Sequence, residues 1–134
     1  MPTFSKSERL CSKTTIERLY HSENRIICFP LSVRWMLVEP RSESERLQVL
    51  IVAPKKKLKH AVDRNRTKRV MRECYRMRKD NLASQLRSRG TAMALSVNYI
   101  HDHTPDFHRM EAAFDKMFRL LAEAIEKTEP AVQP

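Results

Sequence analysis

The chain has 134 residues, 41% of them hydrophobic, which is one domain's worth of polymer with enough apolar material for a modest core. Its 26 Lys and Arg outnumber 16 Asp and Glu to leave a formal charge of +10, an imbalance that costs self-repulsion unless a polyanion relieves it. No run of about 18 apolar residues exists to cross a membrane. The opening MPTFSKSERL lacks the apolar core of a signal peptide, so a cytoplasmic location with reduced cysteines is expected.

In chain order, Ser12 is placed to cap a short helix, KTTIERLYH, in which Ile16, Leu19 and Tyr20 share a face. After Asn24 come a short strand, RIICF, and a longer one, LSVRWMLVE. In the longer strand Val33, Trp35, Leu37 and Glu39 alternate with Arg34, Met36 and Val38. PRSESER is a polar turn, and LQVLIVA after it is nearly all apolar, as a buried central strand would be. Together these two strands read as a hairpin. A basic helix follows and is expected to stop between Arg87 and Gly90, the chain's single glycine. TAMALSVNYI supplies a fourth strand. The loop HDHTPD, with Thr104 or Asp106 as a cap, then leads into a last helix. There Met110, Ala113, Phe114, Met117, Leu120, Leu121, Ala124 and Ile125 recur at core-facing spacing. The pattern predicts one α+β domain over residues 1–127 and a disordered tail, TEPAVQP, over 128–134.

The basic segment, HAVDRNRTKRVMRECYRMRKDNL, carries the functional signal. On a helical wheel Val70, Met71, Cys74 and Met77, joined by Thr67, gather on an arc of about 120° suited to packing on a sheet. Arg64, Asn65, Arg66, Lys68, Arg69, Arg72, Arg76 and Lys79 fill most of the remainder, and Glu73 is the one acid from Arg64 to Lys79. Like charges four residues apart, such as Lys68 with Arg72, each cost an isolated helix a few tenths of a kcal/mol, roughly. A solvated face would mix its signs, whereas sixteen residues rising about 24 Å can span several phosphates and offer each a planar guanidinium fork. A likeness to the basic region of leucine-zipper DNA-binding proteins fails, because Glu73 stands where a basic residue belongs and Gly90 cuts off any heptads. DNA is therefore not the expected partner. Nor is an anionic membrane, since the last helix carries Glu111, Asp115, Glu123 and Glu126 on its polar side.

KKKLKHAVDRNRTKRVMRECYR resembles the signature of the bacterial ribonuclease P protein subunit: a basic run, Ala-Val, Arg-Asn-Arg, Lys-Arg, then an Arg and an aromatic. FSKSERLCSKTTIERLYHS is similar to that family's opening, so the resemblance runs from about residue 4 to residue 127. It implies an α+β fold in the order helix, three strands, helix, strand, helix around a four-stranded sheet, with a left-handed βαβ crossover through the basic helix. It also implies a partnership with the catalytic ribonuclease P RNA and with precursor tRNA, whose 5′ leader the complex removes. The chemistry would belong to Mg²⁺ held by the RNA. Carried over residue by residue, Arg64, Asn65, Arg66, Lys68, Arg69, Arg72 and Arg76 would face RNA, with Lys55, Lys56 and Lys57 adding phosphate contacts. Ile16, Tyr20 and Trp35 would line a cleft for the single-stranded leader, although core packing accounts equally for Tyr20 and Trp35.

Other chemistry has weaker support. Cys11, Cys28 and Cys74 are widely spaced with no C-x-x-C pair, and read as small buried or half-buried apolar side chains. His101, Asp102, His103, Asp106 and His108 match no familiar zinc spacing, and no protein catalytic residue or metal ligand set is expected. A noncatalytic RNA-binding protein, ribosomal or chaperone-like, would use the same basic helix. The Arg-Asn-Arg block separates the two readings.

Overall fold

The structure is a computed structural model and describes residues 9–10, 12–40 and 46–127. Its elements are α1 (Lys13–Tyr20), β1 (Arg25–Cys28), β2 (Leu31–Val38), β3 (Leu47–Val52), α2 (Ala61–Ser88), β4 (Ala92–Tyr99) and α3 (Phe107–Lys127). This is the expected α+β order around one four-stranded mixed sheet. Cys11, the turn at 41–45 and the tail at 128–134 lie outside the described residues.

The strands lie in the order β1-β2-β4-β3, with β4 antiparallel to β2 and parallel to β3. The expected hairpin between β2 and β3 is therefore absent, because β4 inserts between them and α2 carries the chain across from β3. LQVLIVA is also not central: β3 is at one end of the sheet, where Leu10 donates a backbone hydrogen bond to the Val49 carbonyl at 3.0 Å. Its apolar run arises because both its faces are covered, which does not require a strand on both sides. Val49 belongs to the main core and Leu50 to a smaller cluster beneath α1. The inner strands are β2 and β4, and Ala92 through Val97 of β4 are all buried.

Alternation assigns each face of the sheet its own cover. Leu31, Val33 and Trp35 of β2, with Met93, Leu95, Val97 and Tyr99 of β4, pack under α2 and α3. Met36, Val38, Leu50 and Ala94 face α1, where Leu19 and half-buried Ile16 close over them. Ser12 caps α1 through its hydroxyl, which accepts from the Thr15 N–H at 3.3 Å. Asp106 stands before α3, and its carboxylate accepts from the His108 N–H at 3.1 Å.

Helix α2 has 28 residues and is about 42 Å long. It buries Thr67, Met71, Cys74, Tyr75, Lys79, Leu82 and Leu86, a face turned by about 75° from the predicted one. Met77 is 57% exposed, and Lys79 lies at the buried margin instead of on the outer arc. The reason is that α2 packs on the sheet and on α3 together. Tyr75 meets Phe118 of α3 at 5.8 Å between ring centroids, which draws the buried arc toward that helix. The Thr67 hydroxyl, buried among these side chains, donates to the Asp63 carbonyl at 2.8 Å. Gly90, at φ 69°, ends the helix: its N–H donates to the Arg87 carbonyl and that of Thr91 to the Leu86 carbonyl, both at 3.1 Å. A residue with a side chain would be strained there.

Cys28 and Cys74 are buried free thiols, in line with the apolar reading, and burial pushes the Cys74 thiol up to about 11. Among the described residues no helix is long and apolar enough to cross a membrane.

Candidate nucleic-acid interface

The turn before α2 and its N-terminal half form one cationic surface. Lys55, Lys56 and Lys57 are all exposed on that turn, which Lys57 and Leu58 close by donating to the Pro54 carbonyl at 3.0 Å, while Leu58 plugs into the core. Along α2, Asn65, Arg66 and Arg69 are exposed and Lys68 and Arg72 half-buried. None of these five makes a side-chain hydrogen bond or ion pair among the described residues. Asn65, Arg66, Arg69, Arg72 and Arg76 fall within about 120° of the wheel, opposite the buried arc. The partial positive charge of the helix N-terminus adds to the same region.

Two predicted contacts have other commitments. Arg64 turns back, its Nη1 donating to the Leu58 and Lys59 carbonyls at 3.0 and 2.9 Å, so it organises the lysine turn. Arg76 grips Glu73 through Nε at 3.1 Å and Nη2 at 2.5 Å, and that hydrogen bond holds the Glu73 carboxyl below its ordinary range. The single acid on the basic face is thus masked by a neighbour. Arg78 points inward to α3, with Nε 2.6 Å from Asp115 and Nη2 3.1 Å from Glu111.

The three cleft candidates do not come together. Ile16 packs over the α1 face of the sheet, and Tyr20 is 43% exposed at the end of α1. Trp35 faces the opposite way: it is 7% exposed, paired with Leu95 and part of the core beneath α2 and α3. Strand alternation had already separated it from Arg34, Met36 and Val38, but did not reveal which set faced α1. Residues of the other parity, missed from sequence, line the α1 side. Arg34 donates to the Ser22 carbonyl at 3.0 Å, Arg25 to the Ser32 hydroxyl at 3.3 Å, and Asn98 to the Ser96 hydroxyl at 2.9 Å. They form a polar floor with two guanidinium groups.

The loop after β4 gathers what spacing alone did not suggest. One potential ligand atom from each of His101, Asp102 and His103 lies within 4.8 Å of the others, and Asp102 Oδ1 is 2.6 Å from His103 Nδ1 and 3.3 Å from His101 Nδ1. The His103 hydrogen bond keeps the Asp102 carboxyl below its ordinary range.

A small α+β fold with an uncompensated cationic helix face defines a polyanion-binding protein. The chain belongs to the ribonuclease P protein family, whose model it matches over residues 4–124. Two ribonuclease P protein components of Porphyromonas gingivalis are 34% and 33% identical to it. The first alignment covers 86% of this chain and 85% of the relative, the second 84% and 81%. A counterpart from Chlorobium phaeobacteroides is 52% identical over 42 residues, or 31% of this chain and 29% of the relative. The solved Staphylococcus aureus RNase P protein superposes with a TM-score of 0.67 over 87% of this chain and 96% of that one. At 17% identity this likeness concerns the fold.

Proposed function

We propose that this chain is the protein component of a cytoplasmic ribonuclease P, binding the RNA subunit through α2 and the lysine turn and helping to hold the 5′ leader of precursor tRNA for endonucleolytic removal. The observation that carries this reading is the cationic surface of Lys55, Lys56, Lys57, Arg66, Lys68, Arg69 and Arg72, none of which has an acid partner among the described residues. Each phosphate they neutralise releases condensed counterions, which favours association and makes it salt-dependent. Arg66 and Arg69 offer bidentate forks, while the neighbouring lysines act as point charges.

The leader, being single-stranded, suits the α1 side of the sheet. Tyr20 offers an exposed ring for stacking at one end, and Arg25 and Arg34 offer charge along the strands. Hydrolysis itself is assigned to Mg²⁺ held by the RNA. The protein contributes charge neutralisation and alignment, so its effect should be largest where Mg²⁺ is scarce. The family match disfavours the noncatalytic alternative.

Reconstitution tests the proposal. The purified chain is added to a cognate bacterial ribonuclease P RNA at low Mg²⁺, and precursor tRNA cleavage is followed. Stimulation over RNA alone is expected, and its absence would sink the reading. A paired substitution tests the cleft. Arg34→Ala should narrow the preference for leader-bearing over mature tRNA, whereas Trp35→Ala should weaken both alike through lost stability.

A further inference from the structure

A half-open cleft of about 270 Å³ lies between the β1–β2 turn, the loop after β4 and the first turns of α3. Phe29 and Pro30 form one wall, His101 and the buried Tyr99 the floor, and Arg109 and Lys116 of α3 the other side. It faces away from α1, so it is distinct from the leader cleft considered above.

The lining indicates what the cleft accepts. Phe29 is 61% exposed, an unusual position for a Phe, with its ring centroid 5.2 Å from that of His101 at a tilt of 55°. That spacing leaves no room for a planar group between the two rings, but leaves the outer side of Phe29 available. Arg109 and Lys116 have no ion-pair partner among the described residues, in contrast to Arg76 and Arg78. The one acid lining the cleft, Asp106, has a carboxylate oxygen engaged by the His108 N–H at the start of α3. Burial raises the Cys28 thiol, while Lys116 and Arg119 pull it back, so the cationic field reaches the apolar lining.

Topology supplies the occupant. Because β3 and β4 are parallel, the end of β3 that leads into Lys55–Lys57 lies at the same end of the sheet as the end of β4 that leads into His101. Leu31 pairs with Tyr99, which brings the β1–β2 turn to that end as well. The cleft therefore opens at the end of the molecule that carries the cationic start of α2. It is also smaller than sites for drug-sized ligands, at roughly 300 Å³ and above, and suits a single planar ring system.

We propose that this cleft is a second RNA contact, holding one unpaired nucleotide with its base against Phe29 and its phosphate on Arg109 and Lys116. The inference rests on the reading of this chain as an RNA-binding subunit.

The test uses the full chain, isotopically labelled and followed by amide NMR. It is titrated separately with inorganic phosphate, adenosine 5′-monophosphate and a five-nucleotide single-stranded RNA. The nucleotide and the oligonucleotide should shift His101, Arg109, Lys116 and the amides beside Phe29, and phosphate should bind there more weakly. Phe29→Ala should weaken nucleotide binding at least about fivefold, as the loss of one stacked base would. Phe29→Tyr should preserve it. Lys116→Glu, at an exposed position, provides a second variant that leaves the core untouched. Oligonucleotide shifts confined to α2 and the α1 face would overturn the proposal while sparing the RNA-binding reading. Phosphate binding as tightly as the nucleotide would also overturn it. No shifts anywhere would remove both.

Discussion

The two halves of α2 have similar compositions and opposite uses for their cations. In the N-terminal half Arg66, Arg69 and Arg72 meet no acid among the described residues. Toward the C-terminus, Arg78 bridges Glu111 and Asp115, Gln85 donates to the Ala122 carbonyl at 3.0 Å, and Arg89 reaches the Glu126 carbonyl at 3.4 Å. What separates the halves is α3, which runs beside the second and supplies its acids and carbonyls. A count of arginines on a helix therefore says little about binding until it is known which of them have partners. Here one half is anchored and the other is left exposed for a partner.

Substitutions should break this contrast in graded fashion. Leu86→Ala, in the anchored half and fully buried, should cost about 2 to 5 kcal/mol by chemical denaturation and leave the salt dependence of RNA binding unchanged for the folded fraction. Arg78→Ala removes a bridge whose arginine is 17% exposed but whose acids are 30% and 66% exposed. The cost should be smaller, on the order of 1 kcal/mol after allowance for solvent screening. Arg66→Ala and Arg69→Ala should change stability by less than about 0.5 kcal/mol. Each should lower the slope of log affinity against log salt by roughly 0.7 to 0.9 if it contacts a phosphate, and an unchanged slope would reduce the exposed half to a merely solvated face.

A separate effect, confined to alkaline solution, is one of pH. Burial raises the Cys74 thiol from 9.0 to about 11, so above pH 9 the unfolded chain loses this proton while the folded chain keeps it. Stability should then fall as pH rises from about 9 to 11, and Cys74→Ala should remove that share of the loss. Tyr99, raised by burial to about 12, adds a decline of the same sign at still higher pH. Denaturation midpoints for both proteins across this range provide the check.

Much of this was legible in the residues. Ser12 capping α1, Gly90 ending α2 and the i, i+3, i+4 stripe of α3 were all read correctly, because caps, positive φ and helical periodicity are local properties. The Arg-Asn-Arg block announced the family. The failures were all nonlocal. Apolar character, the only local guide, puts Met77 on the buried face of α2, whereas Tyr75, Leu82 and Leu86 fill the angle between sheet and α3. Chemistry leaves Trp35 divided equally between cleft and core, and the parity of β2 turns it into the core.

The sequence by itself determined the order of the elements, their ends, the excess of positive charge and the family signature, since each depends on neighbours within a few positions along the chain. Only the tertiary structure decided that β4 lies between β2 and β3, which face of the sheet α1 covers, and which arginines are spent on Glu73, Glu111 and Asp115. Those outcomes depend on which surfaces meet across long sequence separations. Apolar patterning marks a residue for burial without naming the surface that will bury it.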